Sequence, residues 1–509
     1  MRHCTTQLQI SNATVTIELR PHHAIISICQ TRRICDAVPM GISVLTVGQM
    51  RDWEKATWAA GQSEAAVIQL VGQRLAALAR QLTRPGDTIL FLAGQGHNGD
   101  DARAAARSLE GRHAELLEVL QPDTALPPLE RQLAENPALI VDGLFGTGLN
   151  RPLSEAWQKI INAINATDLP VLAVDVPSGL NADTGASFGA VINASVTLTI
   201  GAPKTGLLTP AGTDAAGRLE VATDVGLIPC PVHSELRVSL PADFARYPGP
   251  RQVTSHKGTF GHVVVIAGSL GYHGAAVLAA RGALRAQPGL VTVLTQPDAY
   301  VPVAAQLAAA MVQICPPNYN APDTVQAVLA GPGLADPALP ADVRMSIRRL
   351  WRINQHPLVV DASGLDMLAP EPFPKDALRV LTPHPGEAAR LLRCSPATIQ
   401  ADRVGSLRDI SRRYGGCWVV LKGHHTLIGR SEGDIFLNPT GNPWLAQGGS
   451  GDLLGGFIAG LLAQPALQAD PVKALRYAVW AHGAAADRLQ ATRANWTTED
   501  LASEIGHVR

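Results

Sequence analysis

The sequence contains seven cysteines, Cys4, Cys29, Cys35, Cys230, Cys315, Cys394 and Cys417, yet no two stand at C-x-x-C spacing. That absence gives no support to a structural zinc site or a disulfide framework and points to reduced thiols in a cytoplasmic protein. No apolar run reaches the roughly 18 residues that a spanning helix needs, so no membrane segment is expected. The opening Met1-Arg2-His3-Cys4 is not followed by the apolar core of a secretory leader. An excess of one charge is missing as well: the formal net charge of −1 supplies no global field to draw in nucleic acid or a membrane surface. Aromatic residues are scarce, at 4%. Ala, Leu, Val and Gly fill their place, which favours helices packed on sheets over an aromatic-rich sandwich.

What is present is length and rhythm. A chain of 509 residues, 46% of them hydrophobic, exceeds one core and predicts at least two domains. Residues 1–43 lack the turn-helix-strand rhythm and read as an N-terminal extension, with a small hairpin as the alternative. Helical spacing begins at Val47, Met50 and Trp53, and a second helix is expected near Ala65 to Leu82. Apolar runs over residues 88–93, 138–142 and 171–175 each end in a loop and alternate with helical stretches. That alternation predicts a parallel sheet covered by helices on both faces. Prolines at 229, 231, 248 and 250 mark a linker over residues 229–249. The rhythm then restarts with strands expected over residues 262–267, 290–294, 358–361 and 418–421. The reading is α/β throughout, with one domain over residues 44–228 and another over 250–509.

The strongest chemical signal is Gly448-Gly449-Ser450-Gly451-Asp452 ahead of an apolar helix. A helix N-terminus presents free N–H groups and a positive dipole end, and glycines let the backbone approach an anion. An Asp at that mouth can take a proton from an attacking hydroxyl, or simply cap the helix. The loop has company at other expected strand ends: Gly331-Pro332-Gly333, Thr382-Pro383-His384-Pro385-Gly386-Glu387, Leu421-Lys422-Gly423-His424-His425-Thr426 and Thr440-Gly441-Asn442. Strand carboxyl ends form the ligand crevice of an open α/β sheet.

In this order, from His256-Lys257-Gly258 to GGSGD, the motifs resemble the ADP/ATP-dependent NAD(P)H-hydrate dehydratases, over about residues 250–505. The resemblance implies a ribokinase-like α/β/α sandwich that takes hydrated NADH or NADPH and ADP as substrates, with Mg²⁺. It implies Asp452 as catalytic base and Gly449, Ser450 and Gly451 as the anion hole. Lys422, Gly423, His424, His425 and Thr426, with Gly451, would form the adenosine-nucleotide site. Ala275, Ala276, Gly333, His384 and Asp452 would face the hydrate. Trp444-Leu445-Ala446-Gln447 departs from the family's small residues; Trp444 is expected to pack, with narrowing of the site as the alternative.

In the first half, Val141-Asp142-Gly143-Leu144-Phe145-Gly146-Thr147-Gly148-Leu149 and Asp175-Val176-Pro177-Ser178-Gly179 close neighbouring strands with carboxylates and a hydroxyl, an oxygen set suited to a hard cation. Lys204 is a candidate for facing a phosphate. These motifs resemble the NAD(P)H-hydrate epimerase domain, a Rossmann-like three-layer sandwich, over about residues 44–228. The resemblance implies K⁺ on Asn98, Asp142 and Ser178. Hydrate contacts would come from His97, Asn98, Gly99, Asp100, Asp101, Gly146, Thr147, Gly148, Leu149, Asn150, Arg151, Pro152 and Asp175. A homo-oligomer is expected.

Two departures point to a weakened or lost epimerase in a domain that stays folded. Asp100 stands where the family loop has Gly, adding a carboxylate and removing the freedom to adopt positive φ. Ile68-Gln69-Leu70-Val71-Gly72 replaces a Glu- and Asn-bearing helix segment. A non-catalytic first domain, or a small-molecule kinase on the second fold, remain the alternatives.

Overall fold

The computed structural model describes residues 41–508 and, before them, three backbone strands, Thr5–Ile10, Ala13–Arg20 and His23–Ile28, paired as an antiparallel meander. The chain divides into two compact units, residues 1–40 and 41–509. Part of the expected extension, residues 29–40, lies outside the described residues.

The first sheet has six strands, all parallel, in the order Arg218–Ala222, Val196–Ile200, Val171–Val174, Leu139–Gly143, Thr88–Ala93, His113–Glu118. The central strands read as unbroken apolar runs because both faces are covered. On one side Leu90, Leu92, Ile140 and Ala173 pack on helices Pro122–Ala134 and Glu155–Asn165; on the other Ile89, Phe91, Val141 and Leu172 pack on Glu64–Leu82. This is the expected Rossmann-like three-layer arrangement.

The second sheet has eleven strands, ordered Met311–Ile314, Leu290–Thr295, His262–Ile266, Ala327–Ala330, Leu358–Val360, Arg379–Leu381, Trp418–Leu421, Leu427–Gly429, Ile435–Leu437, Leu236–Val238, Ile42–Ser43. The first seven are parallel, and antiparallel pairings extend the sheet beyond Trp418–Leu421. Its last two strands come from segments expected to be linker and extension. Leu236–Val238 runs parallel to Ile435–Leu437, and Ile42–Ser43 pairs with it antiparallel. Strands of two or three residues carry too little alternation to be read locally.

Helix Ser450–Leu462 lies against helix His273–Arg285, and both cover one face of this sheet. Their backbones nearly touch: an added Cβ at Gly456 would collide with the carbonyl of Ala279. The small residues that make both helices look featureless in sequence thus set the depth of the GGSGD helix. Gly456→Ala is expected to cost about 1–3 kcal/mol by overpacking. It should also lower the turnover of the second domain, read by thermal melting and by assay of the same preparation.

Candidate active sites

In the second domain the sheet delivers its loops to one edge of the crevice. Gly449 holds φ 87°, a left-handed conformation that glycine adopts at little steric cost, and starts helix Ser450–Leu462. The first intrahelical bond of that turn runs from the Leu453 N–H to the Gly449 carbonyl at 2.9 Å. The amides of Gly451 and Asp452 precede it and are left for an anion. His482, buried, meets the Ser450 carbonyl at 3.1 Å and braces the turn.

Lys422 reaches this turn from the end of its strand. A Cβ at Gly451 would stand 3.1 Å from Lys422 Nζ, so the glycine lets the ammonium lie close against the turn. Lys422 Nζ donates to Asp361 Oδ1 at 2.7 Å and lies 3.9 Å from Glu387 Oε2. Asp361 and Glu387 are 1% and 6% exposed. Burial pulls the Lys422 pKa down, but the charges of Asp361, Glu387 and Asp452 outweigh it, and the ammonium stays charged. Asp452 shares the pocket with two other carboxyls. Burial, with the charges of Asp361 and Glu387, lifts its pKa to about 7 against the pull of Lys422. A carboxyl poised there can accept a proton at neutral pH.

Gly333 and Ala275 lie together: a Cβ at Gly333 would fall 2.9 Å from the Ala275 methyl, and Ser269 Oγ donates to the Gly333 carbonyl at 2.7 Å. Ala276 is buried in the core beneath them. His384 has a structural duty. Its Nδ1 accepts from the N–H groups of Gly386 and Glu387 at 3.0 and 3.4 Å, capping helix Pro385–Leu392, and its ring remains half-exposed. Within the nucleotide loop the two histidines differ. His424 is exposed, whereas His425 is buried at φ 51° with no hydrogen-bond partner for Nε2 among the described residues, and burial drives its pKa well down. It is a neutral ring, not a cation for phosphate. Arg403 holds the loop from behind, with Nη2 3.2, 3.4 and 3.5 Å from the carbonyls of Leu421, Lys422 and His425. Trp444 does not pack: it is 54% exposed on the 3₁₀ turn Pro443–Leu445.

The first domain holds a cavity of about 880 Å³. The strand-end loops line it with residues 96–98, Asp101, residues 144–154 and Asp175. Asn98, Asp142 and Ser178 are brought together. Asp142 is fully buried and accepts from Ser178 Oγ at 2.6 Å, Ser178 N at 2.9 Å and Leu144 N at 3.2 Å. Asn98 Nδ2 contacts the carbonyls of Phe145 and Val174 at 3.1 and 2.6 Å. The Asp142 carboxylate, the Ser178 hydroxyl and the two carbonyls make an oxygen set that fits a hard monovalent cation, with the Asn98 amide beside them donating through Nδ2 to those carbonyls. Burial raises the Asp142 pKa despite its hydrogen bonds, and a cation beside it would offset that cost.

Three expectations are corrected here. Lys204 does not face a phosphate: it is fully buried and forms an ion pair with Asp175, donating also to the Ile200 carbonyl at 2.8 Å. Asp100 sits inside helix His97–Ser108, where positive φ is not needed, so the loss of Gly there costs no special conformation. Its carboxylate turns to Arg103 at 2.9 Å, which reduces the expected repulsion at the loop.

Residues 263–507 match the family described as NAD(P)H-hydrate dehydratase, and residues 64–132 and 116–206 match the family described as YjeF-related protein N-terminus. The bifunctional NAD(P)H-hydrate repair enzyme Nnr of Gloeobacter violaceus is 36% identical over 494 residues, covering 88% of this chain and 94% of that one. The chain belongs to the bifunctional NAD(P)H-hydrate repair enzymes. The Escherichia coli member is 36% identical over 445 residues, covering 82% of this chain and 84% of its own. A crystal structure of the ADP/ATP-dependent NAD(P)H-hydrate dehydratase from Bacillus subtilis, with ATP/Mg²⁺, is 30% identical, covers 51% of this chain and 92% of that chain, and has a TM-score of 0.46. The protein is therefore a metabolite-repair enzyme with a dehydratase and an epimerase domain.

Within this repair enzyme, Asp361, Glu387 and Arg403 join the dehydratase site without having been singled out as site residues. Asp361 ends an expected strand and Glu387 closes TPHPGE, so their positions were visible but their convergence on Lys422 was not. Arg403 lies on helix Arg403–Arg413, away from every motif, and no local signal marks it.

Proposed function

We propose that the second domain converts (6S)-NAD(P)H hydrate to NAD(P)H with ADP, giving AMP and phosphate. Asp452 takes the proton of the C6 hydroxyl as that oxygen bonds to the β-phosphorus of ADP and AMP leaves. The phosphate then departs from C6 and takes the proton released from C5, restoring the ring double bond. The amides of Gly451 and Asp452 and the ammonium of Lys422 hold the phosphoryl charge as it develops. Asp361 and Glu387 are the acids that would face Mg²⁺ bound with ADP, and the ion would neutralise phosphate charge. The supporting observation is the placement of a carboxyl poised at about 7 beside a lysine at a glycine-started helix.

The first domain is proposed to interconvert the R and S hydrates in its cavity, with K⁺ on Asn98, Asp142 and Ser178. The cavity falls within the range of small-molecule sites, roughly 300–1,000 Å³. Self-association has a candidate face at the open edge strand Met311–Ile314, where Met311 and Ile314 are exposed.

The test follows the dihydropyridine absorbance of the restored cofactor. With S-hydrate and ADP the band should return with stoichiometric AMP. With R-hydrate it should return as fast only when the first domain works, and replacing K⁺ by a large organic cation should slow the R-hydrate reaction alone. Return of the band without AMP would defeat the dehydratase reading. Equal R-hydrate rates with and without K⁺ would defeat the potassium assignment.

A further inference from the structure

The cavity of the first domain contains a carboxyl that none of the strand-end loops supplies. Glu54 comes from helix Val47–Ala59, ahead of the sheet, and lines the same space as Asp101, Asp175 and Lys204. The three acids are not equivalent. Asp175 is tied down by the Lys204 ammonium, the Thr199 hydroxyl at 3.1 Å and the Ile200 amide at 2.9 Å. Asp101 is only 4% exposed, and among the described residues its carboxyl has no hydrogen-bond or ion-pair partner. A buried carboxyl left so holds a proton or faces a ligand.

Their surroundings separate their protonation. Burial, then the charges of Asp175, Asp100 and Glu54, push the Asp101 pKa well up, with Lys204 opposing. Burial raises Glu54 as well; Lys204 pulls it back, Asp175 adds to it, and His97 and Arg51 lower it. His97 in turn pairs with Glu64 at 3.0 Å. The Glu54 charge is one of those that favour the protonated form of Asp101, so the two carboxyls are suited to act as a proton donor and a proton acceptor.

We propose that Asp101 and Glu54 are the proton donor and proton acceptor of the epimerisation, a role that rests on the epimerase reading above. Inversion at C6 of the hydrate requires its C6–O bond to break and to form again on the other face. As the hydroxyl leaves, the N1 lone pair forms an N1=C6 bond and the departing oxygen takes the Asp101 proton. A water molecule adds to the opposite face of C6, returns the electron pair to N1 and gives its extra proton to Glu54. One proton is donated and one accepted, water is both lost and gained, and no oxidant is needed. The pair works in either direction by exchanging roles, as an epimerase must.

The experiment uses the full chain with R-hydrate in ¹⁸O-labelled water, without ADP. It reads the S-hydrate by chromatography and ¹⁸O in the hydrate by mass spectrometry. Glu54→Gln is expected to lower inversion and ¹⁸O uptake together by about a hundredfold or more, the scale of general acid–base catalysis. The acid-side limb of the pH profile should vanish with it, and Glu54→Asp should restore part of both. Turnover of S-hydrate with ADP by the same preparation reports that the chain is folded. A Glu54→Gln protein that inverts like the wild type with the same pH profile overturns the proposal. Inversion without ¹⁸O uptake overturns it too. A wild-type protein that consumes S-hydrate but leaves R-hydrate untouched places the failure in the epimerase reading itself.

Discussion

Asp452→Asn is expected to abolish ADP-dependent dehydration while leaving ADP binding nearly intact. The amide keeps the shape of the turn, the free N–H groups and Lys422, so the anion site survives. It cannot accept the proton of the C6 hydroxyl, and the loss should be about a hundredfold or more in kcat. The wild-type rate should rise with pH to a plateau above about 7, because the working form is the ionised carboxyl and burial beside Asp361 and Glu387 holds its pKa there. The variant should lose that dependence. Stability should move the opposite way. A carboxyl whose folded pKa lies above its unfolded value, about 3.9, makes the native state less stable as pH rises through the interval between the two. The loss amounts to about 1.4 kcal/mol for every tenfold fall in proton concentration across that interval. At pH 8 the Asn protein should therefore melt higher than the wild type, and at pH 4 the difference should shrink. Isothermal titration with ADP, a pH–rate profile and melting at both pH values check the three parts. Near-normal turnover would remove Asp452 from the mechanism.

The second large effect is expected at Lys204→Met. The ammonium is fully buried and its carboxylate partner nearly so. Removing one member of such a pair leaves an uncompensated buried charge and costs about 3–5 kcal/mol. Asp175 keeps its bonds from Thr199 and Ile200, which is why the domain should still fold. Inversion of R-hydrate should fall sharply, since the Asp175 charge on the cavity wall loses the ammonium that neutralises it. Turnover of S-hydrate should persist in the folded fraction. Adding Asp175→Asn to Lys204→Met should recover part of the stability, because the stranded charge is then gone and Asn tolerates the left-handed φ of 63° that this position adopts. Denaturant melts of the two single variants and the double variant measure the coupling. Additive losses would mean that the pair contributes nothing.

The motifs were legible because they sit where chain direction and chemistry are both local. A strand that ends in glycines and opens a helix places its loop at the crevice whatever the rest of the chain does, and so GGSGD, LKGHHT, VDGLFGTG and DVPSG stood out. Side-chain direction is not local. His384 lies in TPHPGE, but whether its ring caps its own helix depends on where Glu387 is drawn by Lys422. Lys204 follows a strand and invites a phosphate, yet Asp175, brought alongside through the neighbouring strand, claims its charge. Asp100 looked like a lost glycine because the loop was expected to continue through it, whereas the helix begins at His97 and Arg103 neutralises it one turn on.

The residues themselves determined the α/β class, the parallel sheets, the division into two catalytic halves and the helix start that carries Asp452. Periodicity, glycine placement and strand-end loops are sufficient for those, since each follows from backbone geometry within a dozen residues. Tertiary structure alone decided which charges meet. It grouped Asp361 and Glu387 around Lys422 and so raised Asp452. It buried Lys204 on Asp175, sent Arg403 behind the nucleotide loop and brought Glu54 from an outlying helix into the cavity. Those outcomes depend on pairings between residues far apart in sequence and on the burial that pairing creates, and burial is what turns an ordinary carboxyl into one that moves a proton at neutral pH.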